Sequence, residues 1–323
     1  MRRYKQLTYE QRCQIEALKK RGLSQIEIAS TIGVTQSTIS RELSRNTGKR
    51  GYRCNQAQNR HLERRESCRR RSKLTGEVEL LIVEKLKLQF SPEQISGRLA
   101  IDHGILLSHE RIYQYIWENK FNGGTLYLNL RRKHKKYQKR CNGKRSRGQI
   151  PNRVGIEHRP AIVDQRGRVG DWEIDTVIGK GHSGALVTIV ERALQFTLIA
   201  RVDSRSASGV TAATVELLRP YKDVVHSITA DNGKEFTNHE EISKALDTEF
   251  YFAQPYHSWE RGLNENTNGL IRQYAPKETN FKKVTDQRVA EIQDLLNIRP
   301  RKTLGFCTPM ELMECHLQSI RKH

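Results

Sequence analysis

The sequence lacks the cysteine spacing that a zinc site or a disulfide framework needs. None of its six cysteines forms a C-x-x-C pair, so a structural zinc site is not expected. The missing disulfide framework suits a reducing cytoplasm. The sequence also has no apolar run of transmembrane length, and no apolar segment follows its basic start as in a signal peptide. We therefore expect a cytoplasmic protein without a membrane partner.

Acidic residues are scarce in the first half of the chain. Residues 1–150 contain 34 Lys and Arg against 13 Asp and Glu, whereas residues 151–323 contain 23 of each. The net charge of +21 therefore belongs to the first half. A basic half beside a neutral half is typical of a protein that binds a polyanion with one module and carries a separate module behind it. The length allows two or three domains with their own cores.

Residues 1–50 carry the signals of three short helices joined by tight turns. Thr8 and Ser24 each stand three residues before a Gln or Glu, which is the spacing of a capping box. Gly33 supplies a turn and Thr35 can cap the third helix, which predicts a helix-turn-helix domain. The start and outer face of that third helix suit base edges and phosphates in a major groove through Gln36, Ser37, Ser40 and Arg41. An ordinary three-helix bundle with a polar face is the alternative.

Two basic segments flank a second helical unit. Residues 51–74 are predicted to be a basic connector or an exposed helix that touches phosphate, and a solvated linker is the alternative. Residues 75–120 are predicted to form a second helix-turn-helix-like unit that either binds DNA or packs protomers together. Residues 121–160 form a basic linker. Its segment Arg131–Arg147 has ten Lys or Arg and no acid, which favours a mobile, DNA-contacting linker over a plain spacer.

Residues 161–323 change to an alternating α/β pattern. Three strand-like runs, GDWEIDTVIG, GALVTIVERA and FTLIARVDS, predict an antiparallel meander. The segments that follow are predicted as helix 207–218, a strand into Asp231, helix 238–246, the short strand EFYFA, and helices 258–274 and 285–297. This order matches a ribonuclease H-like α/β domain, and several other α+β folds give it as well.

Three acids of this second half are predicted to converge on divalent metal. Asp175 lies in the first strand-like run, Asp231 ends a strand before an Asn-Gly turn, and Glu265 lies on a helix. Phosphodiester cleavage by two metal ions needs such hard oxygen ligands around ions roughly 3.5–4 Å apart. Strand alternation places Glu173 on the face of Asp175, as an accessory carboxylate. The alternative is that these acids are ordinary surface charges.

The helix around Glu265 carries further polar residues suited to a site on DNA. Arg261 lies four residues before Glu265 and Arg272 lies seven after it, so both share its helical face. Arg272 is suited to holding a DNA phosphate near the metals. Asn264 and Asn268 are neighbours that could position either metal-bound water or DNA.

Longer motifs connect the acids to a known family. WEIDTVIGKG, TADNGKEF and WERGLNENTNGLIRQY resemble the catalytic core of the insertion sequence 30 family of bacterial transposases, and RPRKTLGFCTPMEL resembles its C-terminal signature. The family pattern has thirty-three residues between its second acid and its glutamate, which Asp231 and Glu265 fit. The resemblance implies that Asp175 is the first acid and Arg272 the basic residue after the glutamate. Ile298 departs from the pattern, which has Asn before Arg-Pro.

The resemblance implies a multidomain protein in which an all-α helix-turn-helix region precedes an α/β ribonuclease H-like catalytic domain of the retroviral integrase type. It implies a DDE transposase that uses Mg²⁺ or Mn²⁺, as two ions, and binds the terminal inverted repeats of its element before joining them to target DNA. Because two ends must be held together, we expect a homo-oligomer of at least two protomers. Two alternatives remain open here: a DNA-binding regulator with an inactive catalytic domain, and a nuclease that cuts without joining.

Overall fold

The computed structural model describes residues 6–67, 74–131, 150–254 and 258–321. Residues 1–73 form one compact unit and residues 74–323 form another. Most of the basic run Arg131–Arg147 therefore lies outside the described residues. No helix within the described ranges is long and apolar enough to cross a membrane.

The first unit is a bundle of four helices around a small apolar core. The helices are α1 (Tyr9–Lys20), α2 (Gln25–Ile32), α3 (Gln36–Asn46) and α4 (Cys54–Ser67). The core contains Ile15, Ile28, Ile39, Leu43 and Ala57. The capping boxes predicted at Thr8 and Ser24 are both present, and Gly33 ends α2 in the left-handed conformation at φ +76°. These local signals fix the turn between α2 and α3.

Two features of the first unit differ from the simplest expectation. Thr35 is the N-cap of α3, but the described residues show no capping hydrogen bond from its side chain, which contacts the hydroxyls of Ser37 and Thr38 instead. Residues 51–74, expected to be a connector or an exposed helix, contain α4. The amide of Cys54 donates to Glu16, and Arg60 donates to the Thr47 carbonyl. The first part of this segment is therefore packed into the unit, while residues 68–73 lie outside the description.

The second unit begins with three helices, α5 (Gly76–Lys87), α6 (Pro92–His103) and α7 (His109–Phe121). They enclose a core of their own, which includes Ile82, Leu86, Ile95, Leu99, Ile112 and Ile116. Ser91 caps α6 in a capping box, and Pro92 occupies the first turn, where its missing N–H is harmless. The predicted helical unit is therefore present, and its role in DNA binding or assembly stays a prediction.

The remainder of the second unit is built on a five-stranded mixed sheet. Its strands are β1 (Asp171–Ile178), β2 (Ala185–Glu191), β3 (Thr197–Val202), β4 (Ser227–Ala230) and β5 (Glu249–Phe252). Their order is β3-β2-β1-β4-β5, with β1, β2 and β3 antiparallel and β4 and β5 parallel to β1. The predicted meander followed by crossover strands is confirmed. Crossovers between parallel strands need helices, which cover the sheet faces.

Helices pack on both faces of this sheet. They are α9 (Ala207–Leu218), α10 (His239–Leu246), α11 (Gly262–Tyr274), α12 (Asp286–Asn297) and α13 (Pro309–Ile320), and the short helix α8 (Ala161–Asp164) precedes β1 in the chain. One core cluster joins the sheet to α9, α10 and α13, and a second joins it to α11 and α12. Every residue of β2 is buried, as expected for a strand covered on both faces.

The helix predicted from Ser258 begins later than expected. Residues 258–261 form a 3₁₀ turn, and the regular α-helix starts at Gly262. Arg261 is the N-cap, with backbone angles of φ −127° and ψ 38°. Its guanidinium contacts Asp175 and Asp231, which lie at the ends of neighbouring strands of the sheet. The backbone of Arg261 therefore leaves the helical conformation while its side chain contacts these acids.

The three helices α5–α7 are joined to the sheet domain through the segment after α12. Gln94 donates to the Pro300 carbonyl at 2.8 Å and accepts from Arg299 at 3.1 Å. Arg98 binds Glu311 at 2.9 Å, and a Cβ at Gly97 would overlap the ring of Phe306. Residues 75–120 therefore belong to the same compact unit as residues 161–323, although the sequence suggested separate segments.

The outer edge strand β3 is covered by side chains of α12. Asn297 is fully buried, and its amide accepts from the Thr197 N–H and donates to the Thr197 carbonyl, both at 2.8 Å. Gln293 accepts from the Ile199 N–H at 2.9 Å. An uncovered edge would offer these groups to another chain. The helix thus completes the hydrogen bonding of the sheet at this edge.

Replacing Asn297 by Ala should destabilise the second unit. The change leaves two buried backbone groups of Thr197 without partners, so we expect the free energy of unfolding to fall by about 2–4 kcal/mol. Urea unfolding followed by circular dichroism measures it. Asp294→Ala, at an exposed position of the same helix, is the matched control. Equal losses in the two variants would contradict this account.

Candidate active site

Asp175 and Asp231 lie side by side at the ends of neighbouring strands. β1 and β4 are parallel, with Asp171 opposite Ser227 and Glu173 opposite Thr229. The same register, continued by two residues, puts Asp175 next to Asp231, and adjacent strands are about 4.8 Å apart. The sheet therefore brings together two acids that are far apart in the sequence.

Backbone and side-chain amides orient both carboxylates. The Thr176 N–H donates to Asp175 Oδ1 at 2.8 Å, and Asn268 Nδ2 donates to Asp175 Oδ2 at 2.9 Å. The Gly233 N–H donates to Asp231 Oδ1 at 2.8 Å, closing the Asx-turn that the Asn-Gly pair predicts. Asn268, predicted to position water or DNA, thus positions an acid.

Arg261 lies between the two acids. Its Nη1 is 3.8 Å from Asp175 Oδ1 and its Nη2 is 3.4 Å from Asp231 Oδ2. Burial raises the pKa of Asp175, Arg261 lowers it and the charge of Asp231 raises it, and together these effects bring it to about 6. The guanidinium therefore offsets the repulsion between the two neighbouring carboxylates.

The pair has the donor chemistry of a divalent cation site. Two partly buried carboxylates that share one positive charge are the hard oxygen ligands that Mg²⁺ and Mn²⁺ prefer. Among the described residues, no three His, Cys, Asp or Glu side chains are close enough to hold one ion together. Asp175 and Asp231 therefore fit a metal as a pair, and a third protein ligand has to approach them.

Glu265 stands on the helical face that meets the two acids. It lies in the first turn of α11 with its side chain exposed. Arg261 and Asn268, four residues before it and three after it, both contact Asp175. Because residues at these spacings share a face, Glu265 is carried on the side of α11 that faces the pair.

Glu173 has other partners than a metal. It is buried, forms an ion pair with Arg192 and accepts the Asn264 N–H at 3.2 Å. Burial raises the pKa of Glu173, and Arg192 counteracts this. Both polar atoms of the Asn264 side chain are buried without a partner in the described residues. These contacts fasten α11 to β1, and the accessory roles of Glu173 and Asn264 stay predictions.

Arg272 is partly committed to the end of β1. Its Nη2 donates to the Ile178 carbonyl at 2.6 Å, and its guanidinium lies 5.7 Å from the ring centroid of Phe281. Burial lowers its pKa. It occupies the same helical face as Arg261 and Glu265, so its predicted contact with a DNA phosphate stays a prediction that this position favours.

Glu235 is a site residue that the sequence reasoning missed. It is buried, accepts from the Thr176 hydroxyl at 2.9 Å and forms an ion pair with Arg205. Its charge also raises the pKa of Asp175. The signal was present in TADNGKEF, where this acid follows Asp231 by four residues. A single acid beside a turn is usually on the surface, so the burial of Glu235 is visible only in the tertiary structure.

Comparison with known proteins identifies a domain family in each of the two units. Residues 3–46 match the profile of a helix-turn-helix domain, and residues 166–258 match that of an integrase core domain. The chain is 47% identical over 309 residues to the transposase for insertion sequence element IS4351 of Bacteroides fragilis, covering 95% of each chain. It is 36% identical over 322 residues to transposase InsI for insertion sequence element IS30A of Escherichia coli (strain K12), covering 95% of this chain and 83% of that one. The chain belongs to the insertion sequence 30 family of transposases.

A solved structure similar to this transposase is the catalytic core domain of BIV integrase. It is 20% identical, with a TM-score of 0.37, and covers 47% of this chain and 98% of that one. The fold class predicted from the sequence, a helix-turn-helix region before an integrase-type catalytic domain, is confirmed by the two family matches. The integrase match ends before α11, so it does not include Glu265.

The helix-turn-helix domain of the transposase presents the predicted DNA-facing residues. Gln36, Ser37, Ser40 and Arg41 are all exposed on α3, the second helix of the motif. Arg41 Nε donates to the Ser37 carbonyl at 3.0 Å, which holds the guanidinium along the helix start. The buried ion pair of Arg12 with Glu42 at 2.9 Å ties α1 to the inner face of α3. The outer face is thus free to enter a major groove.

Removing the Arg261 guanidinium should make stability more sensitive to pH. In Arg261→Gln the pKa of Asp175 rises further above its unfolded value, because the guanidinium that lowers it is lost. A raised pKa of a folded carboxyl means stability that is present at low pH and lost as pH rises through that pKa. Relative to the wild type, we expect a deficit of about 1–3 kcal/mol at pH 8 and a smaller one at pH 5.

Urea unfolding at the two pH values, with EDTA throughout, measures this deficit. Arg201→Gln is the control, because Arg201 pairs with Asp203 and Asp286 at the surface and away from the two acids. A deficit in Arg261→Gln that is equal at pH 5 and pH 8 would show that Arg261 does not serve the charge of the pair.

Proposed function

We propose that this transposase cleaves DNA at the ends of its element and joins them to target DNA in a reaction that depends on divalent metal held by Asp175, Asp231 and Glu265. The observation that carries the proposal is the pair of carboxylates in register on parallel strands, with one guanidinium between them. Glu265 is the third ligand, since α11 carries it on the face that meets the pair. The ion is Mg²⁺ or Mn²⁺, and two ions fit the reaction class.

The residues around the acids prepare this site before DNA arrives. The amides of Thr176, Gly233 and Asn268 hold one or both oxygens of each aspartate, so little reorganisation remains. Arg261 supplies positive charge near the place where the phosphate negative charge develops. Bound metal would lower the pKa of the attacking hydroxyl and stabilise charge on the leaving oxygen.

The chemistry takes place in two displacements at phosphorus. Water first breaks the phosphodiester bond at the end of the element and leaves a 3′-hydroxyl. That hydroxyl then attacks a phosphodiester of the target, forming one bond as another breaks, so no external energy source is needed. The terminal inverted repeats are bound by the helix-turn-helix domain. Because two ends react together, at least two protomers assemble.

Replacing one ligand should abolish chemistry and leave DNA binding intact. We expect Asp231→Asn and Glu265→Gln to reduce both strand cleavage and strand transfer by at least about a thousandfold, because several kcal/mol of charge stabilisation is lost. Labelled duplex carrying the element's own terminal repeat, incubated with Mg²⁺, reports nicked and joined products on a denaturing gel. Wild-type protein in EDTA should be equally inactive.

Matched variants control for the loss of charge itself. Asp223→Asn and Glu216→Gln remove exposed acids of the same domain and should cleave at the wild-type rate. Retained strand transfer in Asp231→Asn would refute the proposed ligand set. Repeat binding without cleavage under any divalent metal would favour a DNA-binding regulator, and cleavage without joined products would favour a nuclease.

A change in the predicted recognition helix should act on binding alone. Arg41→Ala should weaken binding to the terminal repeat about 5- to 100-fold if the residue contacts a base edge, and the loss should be smaller on unrelated DNA. Gel-shift titration at fixed salt measures both affinities. Arg21→Ala, an equal change of charge at the end of α1, is the control. Equal losses on both DNAs would assign Arg41 to phosphate and not to sequence.

A further inference from the structure

A cleft lies inside the second unit, on the side of α11 away from the acids. Its volume is about 820 Å³, which is in the range of pockets that bind ligands of nucleotide size. Its walls come from the α5–α6 turn, from α7, from α11 and from residues 299–303. The last segment is the RPRKT start of the C-terminal signature, to which the catalytic chemistry gives no role.

Two buried arginines in this wall have no acidic partner. Arg299 and Arg301 are 3% and 7% exposed. Arg299 donates to Gln94 and Gln273, and Arg301 donates to the Leu296 carbonyl at 3.2 Å. Among the described residues, no carboxylate forms an ion pair with either guanidinium, and Arg301 Nε is buried without any partner. Buried charge of one sign without a counter-charge is expensive, so the wall is suited to an anion.

The pKa values support this assignment. Burial and the neighbouring charge of Arg299 together lower the pKa of Arg301 to about 10. Burial also lowers the pKa of Arg299. Both groups stay protonated at neutral pH, so the cleft retains two positive charges.

Aromatic rings also line the cleft, with the Lys120 ammonium 5.5 Å from the Trp117 ring centroid and 4.4 Å from that of Tyr127. Tyr113 and Trp117, on successive turns of α7, are 37% and 40% exposed and line the cleft with Tyr127. Leu263 and Leu270 complete an apolar surface. Aromatic rings and arginines in one cleft form the combination that binds single-stranded nucleic acid, since any base can stack on a ring while its phosphate meets a guanidinium.

α11 links this cleft to the active site. Gly262, Leu263, Asn266 and Leu270 line the cleft and follow one face of the helix. Arg261, Glu265 and Asn268 follow the other. A helix with its side chains is about 10–12 Å across, so about one helix thickness separates the cleft from the two acids.

We propose that the cleft binds one unpaired nucleotide of the DNA strand that is cleaved, with the base stacked on Trp117 and the phosphate held by Arg301. The inference rests on the proposed function, because it concerns the same strand. Arg299 is better explained as a tie between α6 and the sheet domain, given its three hydrogen bonds to glutamine side chains and to the Gln89 carbonyl. Arg301 has a single one, to Leu296, and is the residue assigned to the phosphate.

Tryptophan fluorescence of the full chain in EDTA tests the proposal. The probes are a ten-nucleotide thymidylate strand and the same strand annealed to its adenylate complement. The chain has three tryptophans, so the difference between wild type and Trp117→Phe separates the signal of Trp117 from those of Trp172 and Trp259. We expect the single strand to quench Trp117. We also expect Trp117→Ala to weaken single-strand binding about tenfold, since stacking on a ring is lost, while duplex binding stays unchanged.

Controls separate the cleft from general effects. Phe121→Ala removes a ring that is 92% exposed at the end of α7 and lies outside the cleft, so its affinity for the single strand should match the wild type. Arg301→Met should weaken single-strand binding as Trp117→Ala does, provided that its melting temperature is near that of the wild type. If Arg301→Met melts at a clearly lower temperature than the wild type, the test depends on Trp117→Ala alone.

The two proposals fail in different ways. Quenching that is the same in wild type and Trp117→Phe, or equal loss of single-strand and duplex binding in Trp117→Ala, would overturn the cleft assignment and leave the metal ligands untouched. Strand transfer retained in Asp231→Asn would overturn the proposed metal ligands. It would not affect the single-strand binding result, because that measurement is made in EDTA without metal.

Discussion

The contact of Arg261 with Asp175 and Asp231 is the interaction on which the catalytic half depends. The sheet places two carboxylates side by side because β1 and β4 are parallel and in register. Two such charges repel each other in a partly buried site, and one guanidinium offsets that repulsion. The same residue begins α11, so the helix that carries Glu265 is anchored by the electrostatics of the acids it serves.

Polar contacts then fix the rest of α11 on the sheet. Asn268 binds Asp175, the Asn264 N–H binds Glu173, and Arg272 binds the last carbonyl of β1. Glu173 and its partner Arg192 are buried beneath this helix end, which makes the ion pair a support for the site. An acid that resembles a metal ligand by strand alternation is thereby used to hold the helix in position.

The helix also divides two environments. One face meets acids suited to cations, and the other meets buried arginines and aromatic rings suited to an anion with a base. The segment after α12 connects the two, since Arg299 and Pro300 bind Gln94 while Arg301 faces the cleft. The attachment of α5–α7 to the sheet domain therefore forms the cleft, which neither part has alone. The first unit adds DNA recognition through its helix-turn-helix domain.

The sequence by itself determined the local elements and made Asp175, Asp231 and Glu265 the candidate acids. Capping boxes at Thr8 and Ser24, the Asn-Gly turn after Asp231 and the alternating strands are short-range signals, so they could be predicted from neighbouring residues. Only the tertiary structure decided which residues meet. Arg261 reaches Asp175 across 86 positions, and Gln94 reaches Pro300 across 206. The sequence shows the type of each residue, but such long-range partners depend on how the chain packs, and periodicity contains no information about them.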